Sequence, residues 1–171
     1  SALALLWGPD VASGDLTKRL IMPALYNLAR EGALHADFRI VGIDIVEHTD
    51  DDYRSFLSDT AHELAAASDL AINETAWSWL IDRIHYIVGD FDNAATYQKV
   101  GDWLAERQKQ SGQANAVFYL AVAPRFFGSI PVKLGEAGLF EESENAFRRL
   151  IVEKPFGTDL ASAKALNAQL L

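Results

Sequence analysis

The sequence predicts an α/β fold: a doubly wound parallel sheet flanked by helices, in a single domain. Three observations predict it. Short apolar runs recur, at Ala2 to Trp7, Phe38 to Ile43, Tyr86 to Val88, Ala116 to Val122 and Leu150 to Val152. They are bounded by Gly, Asp or Pro and carry β-branched or aromatic residues, as strands buried on both faces do. Longer amphipathic stretches separate them, and strands alternating with helices imply right-handed crossovers with helices on both faces.

The elements follow in order. Ala2 to Trp7 leads into a turn-rich segment, Gly8 to Leu16, and then a helix headed by Thr17-Lys18-Arg19-Leu20. Leu20, Leu25 and Leu28 share a face before Glu31-Gly32, a helix stop. Pro23 starts a helical turn or kinks one. Asp50-Asp51-Asp52 precedes Tyr53, Phe56 and Leu57 and reads as a solvated helix start that complements the dipole. Trp77, Leu80, Ile81 and Ile84 form a second stripe. Tyr97, Val100, Trp103 and Leu104 form a third, ending near Gln110 to Gly112. Trp77, Trp79 and Trp103 read as core or partner-facing. Asp159 to Leu166 opens a last amphipathic helix, capped by Thr158 or Asp159. It runs into Leu170-Leu171 without a stop signal, so the chain is expected to be a piece of something longer. There is no internal repeat, low-complexity segment or linker.

Composition narrows the function classes. The 171 residues suffice for one domain with a substantial core. Net charge is −9 with no basic stripe, which argues against nucleic acid, whose phosphates demand Lys and Arg. Without cysteine there is no disulfide framework, thiolate metal site or catalytic thiol. His35, His48, His62 and His85 are scattered without ligand spacing, so no metal is assigned. No apolar run approaches the roughly 20 residues of a membrane span, and no signal segment is recognisable. The expected location is the cytoplasm.

In an open α/β sheet, ligands sit beyond the carboxyl ends of the strands. After the first strand comes the Gly14 turn, a strand–turn–helix cradle whose free N–H groups suit a phosphate. After the second comes Gly42-Ile43-Asp44, whose carboxylate suits an adenine-ribose diol and would repel a 2′-phosphate. Gly89-Asp90, Ala123-Pro124-Arg125 and Glu153-Lys154-Pro155 follow the other three. Blander readings stand beside these. The Gly14 turn could be an ordinary connection, Lys154 a solvated lysine, and Asp44 a cap for the next helix. Arg125 is expected in an ion pair with a nearby acid rather than on a phosphate.

The segments Ala12 to Arg19, Met22 to Leu28, Ile40-Val41-Gly42, Phe118 to Gly128 and Val152 to Gly157 resemble, in order, the glucose-6-phosphate dehydrogenase family. The resemblance covers essentially the whole chain. It implies that residues 1–171 are a Rossmann-type coenzyme-binding domain, truncated before the substrate domain. The family moves a hydride from C1 of glucose 6-phosphate to NADP or NAD, giving 6-phosphogluconolactone, the first step of the pentose phosphate pathway. Position by position, Ser13, Gly14, Asp15 and Leu16 match the dinucleotide turn, and Ala123 and Pro124 the loop beside the nicotinamide ribose. Gly89 and Asp90 match a loop near the adenine. Glu153, Lys154 and Pro155 match the segment where coenzyme and sugar meet, with Lys154 on the substrate. The resemblance also implies a homo-oligomeric parent assembled through the missing domain.

Departures from the family pattern matter as well. Either Val11 stands where the family turn begins with Gly, or Pro9-Asp10-Val11 is an insertion after Trp7-Gly8; the tight turn is altered in both cases. Asp44-Ile45 stands where NADP-using members place Arg, which favours NAD or dual use. Leu20 replaces a basic residue near the reacting centre. Nothing matches the family's His and Asp acid–base pair, so no catalytic residue is assigned here and the chain alone should not turn over. The alternatives are another sugar oxidoreductase with Glu-Lys-Pro, disfavoured by the missing Gly-x-Gly-x-x-Gly, and a non-catalytic nucleotide-binding module.

Overall fold

The computed structural model describes residues 2–7, 21–120, 122 and 124–152, with backbone alone for 2–7 and 124. The strands are β1 (Ala2–Trp7), β2 (Arg39–Asp44), β3 (Ile84–Val88), β4 (Asn115–Leu120) and β5 (Arg148–Val152). They form one sheet in the order β3-β2-β1-β4-β5, with every pairing parallel. The helices are α1 (Met22–Arg30), α2 (Asp50–Ala67), α3 (Glu74–Ile81), α4 (Ala94–Ser111) and α5 (Ser129–Glu136), with a 3-10 turn at Pro124–Phe126. None of the described helices is long and apolar enough to cross a membrane.

Alternation along the strands sorts the core into two layers. On one face Ile40, Ile84 and Tyr86 pack against Met22 of α1, Tyr53 and Leu57 of α2, and Trp77 and Leu80 of α3. On the other, Val41, Ile43, Ile87, Phe118 and Leu120 pack against Tyr97, Val100 and Leu104 of α4 and Ile130 and Leu134 of α5. The first three helices lie between β1 and β3 in the chain and the last two between β3 and β5. The fold is therefore doubly wound, and the strand order reverses between β1 and β4.

Local chemistry sets the helix boundaries. Pro23 sits in the first turn of α1, where its missing N–H has no helical partner to lose. Thr49 caps α2 in a capping box, Oγ1 accepting from the Asp52 N–H at 3.1 Å while Asp52 Oδ2 accepts from the Thr49 N–H at 3.4 Å. Asn73 caps α3 and Asn93 caps α4. Gly112 ends α4 at φ 75°, a conformation a Cβ would strain.

Four expectations need correction. Leu28 is 40% exposed, and the packed side of α1 is Met22, Leu25, Tyr26 and Ala29. Ile84 opens β3 instead of extending the Trp77 stripe, because the chain turns at Asp82 and Arg83. β4 stops at Leu120, although Val122 is still buried. The acidic start of α2 is solvated only in part. Asp50 reaches the edge of β3, its Oδ1 accepting the Tyr86 N–H at 2.8 Å and its Oδ2 meeting His85 Nδ1 at 3.0 Å.

Candidate functional site

Parallel pairing brings the carboxyl ends of the strands to one edge: Trp7 pairs beside Ile43 and Leu120, Asp44 beside Val88, and Leu120 beside Val152. The order reverses between β1 and β4, which is where open sheets of this kind leave a crevice.

Asp44 is the last residue of β2 and is 1% exposed. Its Oδ1 accepts the N–H of Ile45 at 2.6 Å. It does not cap α2, whose cap is Thr49, so the helix-cap reading falls. The next residues project outward, Ile45 62% and Val46 44% exposed. The segment is held from below: Tyr86 donates its hydroxyl to the Val46 carbonyl at 2.6 Å. Burial first, and then the Asp44 carboxylate, raise the Tyr86 phenol well above its ordinary range, so it stays a donor. Tyr53 is raised too, by burial, by Tyr86 and by Asp44. Its ring packs against β2 at Gly42, where a Cβ would fall 2.8 Å from its hydroxyl oxygen.

The β3 end is built differently. The Gly89 N–H continues the ladder onto the Asp44 carbonyl at 2.9 Å, so two of the proposed site positions are directly joined. A Cβ at Gly89 would sit 2.4 Å from Thr96 Oγ1, so this glycine admits the first turn of α4. Thr96 donates to the Asp90 carbonyl at 2.6 Å, and Asp90 Oδ1 accepts the Asp92 N–H at 2.9 Å. Asp90 thus shapes its own turn, with its side chain at the exposed surface. Tyr97 donates to the Phe91 carbonyl at 2.7 Å, and burial, then Asp92 and Asp90, raise its phenol.

Pro124 opens the 3-10 turn after β4. Phe126 meets Phe91 edge to face at 5.4 Å, so the loops after β3 and β4 touch. Arg125 is exposed, with its guanidinium 4.6 Å from the Phe126 ring centroid. Among the described residues it forms no ion pair, contrary to the expectation for it. Ser13, Gly14, Asp15, Leu16, Ala123, Glu153, Lys154 and Pro155 lie outside the described residues, as do Leu20 and the terminal helix.

Sequence reasoning missed the Tyr86 strut, the Thr96 wedge and the Phe91–Phe126 contact. Only Thr96 left a signal, since Asn93 three residues before it marks the start of a helix.

The profile of the family described as glucose-6-phosphate dehydrogenase, NAD binding domain, matches residues 11–171. The chain belongs to this family. The glucose-6-phosphate 1-dehydrogenase of Chlamydia muridarum is 35% identical over 160 residues, covering 91% of this chain and 31% of the relative. That of Leuconostoc mesenteroides is 32% identical over 159 residues, covering 92% and 31%. A crystal structure of glucose-6-phosphate 1-dehydrogenase from Mycobacterium avium superposes with a TM-score of 0.80 at 28% identity, covering 99% of this chain and 33% of that one. A glucose-6-phosphate dehydrogenase in complex with its substrate glucose-6-phosphate gives 0.82 at 29% identity, with the same coverage. The chain therefore spans about a third of the length of these glucose-6-phosphate dehydrogenases.

Membership in the glucose-6-phosphate dehydrogenase family makes the cofactor a nicotinamide dinucleotide. The end of β2 fits such a molecule: it presents Ile45 and Val46 as an apolar surface beside an acidic residue, and residues 44 to 47 include no Lys or Arg.

Proposed function

We propose that this chain is the dinucleotide-binding part of an enzyme that oxidises glucose 6-phosphate at C1 to 6-phosphogluconolactone, with NAD as the preferred acceptor. The family match over residues 11–171 carries the reading. A parallel sheet that reverses between β1 and β4 supports it.

Each segment has a task. Ser13, Gly14, Asp15 and Leu16 hold the pyrophosphate. Asp44 sets the ribose end of the site, by its charge and by fixing the Ile45 N–H. Gly89 and Asp90 border the adenine, and Ala123 and Pro124 the nicotinamide ribose. Glu153, Lys154 and Pro155 lie where coenzyme and sugar meet. The Lys154 ammonium hydrogen-bonds sugar oxygens and adds positive charge near the phosphate. The bound dinucleotide supplies the hydride acceptor. The base that takes the sugar's hydroxyl proton is provided outside these 171 residues, so residues 1–171 alone bind without turnover.

The preference for NAD follows from charge. A 2′-phosphate calls for a guanidinium or ammonium partner, and the end of β2 has instead the buried acid Asp44 and the exposed hydrocarbon of Ile45. Calorimetry of the full-length protein with NAD and NADP, alongside reduction of each in the presence of glucose 6-phosphate, tests the proposal. Tighter binding of NAD and turnover of the sugar phosphate are expected; binding of neither dinucleotide means the function is wrong. Asp44→Ala should shift the affinity ratio toward NADP by about tenfold. Ile45→Arg should shift it further, by supplying the missing cation.

A further inference from the structure

Strand β3 is an edge of the sheet, and its sequence, Ile84-His85-Tyr86-Ile87-Val88, invites pairing with another strand. It is β-branched and aromatic, has no proline and no permanently charged side chain. The ladder to β2 shows which of its backbone groups point outward. The Arg83 carbonyl accepts from the Ile40 N–H, and the Gly89 N–H donates to the Asp44 carbonyl, each at 2.9 Å. Alternation along a parallel strand then turns His85 and Ile87 toward β2 as well. The backbone groups of Ile84, Tyr86 and Val88 face away from the sheet.

Each of those three residues has one outward group occupied by a charged side chain. Arg54 Nε donates to the Ile84 carbonyl at 2.7 Å. Asp50 Oδ1 accepts the Tyr86 N–H at 2.8 Å. Lys99 Nζ donates to the Val88 carbonyl at 2.8 Å. Asp50 and Arg54 come from α2 on one face, and Lys99 from α4 on the other. Secondary contacts hold α2's pair in place: His85 Nδ1 lies 3.0 Å from Asp50 Oδ2, and Arg54 Nη2 reaches the Asp82 carbonyl at 3.4 Å.

We infer that Asp50, Arg54 and Lys99 seal the β3 edge by occupying the positions a neighbouring strand would take, and that without them the edge pairs with β3 of a second copy. An incoming strand must break three charge-assisted bonds and leave the displaced charges beside a newly dried backbone. It regains only neutral amide bonds. Side-chain bonds from both faces therefore make pairing unfavourable along the whole strand, which is how an apolar edge strand stays unpaired.

The test uses the full-length protein carrying Asp50→Ala, Arg54→Ala and Lys99→Ala together. Sedimentation velocity is expected to show a concentration-dependent species of twice the wild-type mass. A labelled synthetic peptide spanning Asp82 to Asp90 should bind this variant at least about tenfold more tightly than wild type. A folded triple variant that keeps the wild-type mass and gains no peptide affinity overturns the inference. Should the triple variant not fold, amide exchange decides. The Tyr86 N–H of wild type should exchange about tenfold or more slowly than that of Asp50→Ala, with the Gly42 amide unchanged. Equal rates at Tyr86 overturn the inference too.

Discussion

Helices α2 and α4 are each 18 residues long and cover opposite faces of the sheet, yet they dock in different ways. α2 lays the ring of Tyr53 against Gly42, in the middle of β2. α4 drives the small side chain of Thr96 against Gly89, just past the end of β3. The Thr96 hydroxyl donates to the Asp90 carbonyl, whereas the Tyr53 hydroxyl is buried with no hydrogen-bond partner among the described residues. A glycine just past the carboxyl end of a strand can thus exist to admit a helix. The two hydroxyls should also carry opposite weight: one shapes the loop after β3, and the other is buried at a cost.

Substitution of the two glycines probes this contrast most strongly. Gly89→Ala should lose about 3 kcal/mol, the upper end for overpacking, because the clash includes Thr96 Cβ and through it the helix backbone. Gly42→Ala should lose about 2 kcal/mol. Urea unfolding measures both, and Gly89→Ala combined with Thr96→Ala should regain most of the loss. A double variant as unstable as the single one would show that Thr96 is not the obstacle.

The hydroxyls come next. Thr96→Val should lose about 1 kcal/mol with its bond to Asp90. Tyr53→Phe should leave stability unchanged or raise it by about 1 kcal/mol, since it removes a buried donor without a partner. If Tyr53→Phe proves the more damaging, the contrast between the helices is broken. The caps should show no contrast: Thr49→Ala and Asn93→Ala should each lose about 1 kcal/mol in the same unfolding assay.

The smallest effects concern two histidines and differ in sign. Burial first lowers the affinity of His85 for a proton, outweighing the Asp50 carboxylate. Its contribution to stability is therefore complete above the ordinary value of 6.5 and is lost as the pH falls through 6.5 toward the folded value. His62 on α2 is raised by the Ser58 carbonyl and then by Glu74. Its contribution is complete below 6.5 and is lost as the pH rises through its folded value. His85→Gln should flatten the acid side of the stability–pH curve, and His62→Gln the neutral side. Unfolding midpoints measured from pH 5 to pH 8, the range in which histidine titrates, check both.

Much of this architecture was legible in the chain. All five strands lie where apolar runs predict them, and the α4 stripe ends at Gly112 as expected. Boundaries slipped by a residue or two: β2 starts at Arg39, one residue after its apolar run, while β3, β4 and β5 start one or two residues before theirs, at Ile84, Asn115 and Arg148. Leu28 misled because a period alone does not say which side of a short helix meets the sheet. Asp50 looked like one of three equivalent acids, and nothing local separates it from Asp51, whose side chain is 94% exposed. Its partners His85 and Tyr86 lie 35 and 36 residues away.

By itself the sequence determined the alternation of strands with helices, the stops of α1 and α4, the start of α2, the family and the acidic character of the β2 end. These depend on residue type and spacing along a few neighbouring positions, so they survive without coordinates. Tertiary structure alone decided that Asp44 is buried at the end of β2, that Gly42 and Gly89 face helix side chains, and that the outer backbone of β3 is held from both faces. Those outcomes depend on which distant segments meet, and chain closure over tens of residues leaves no mark on local pattern.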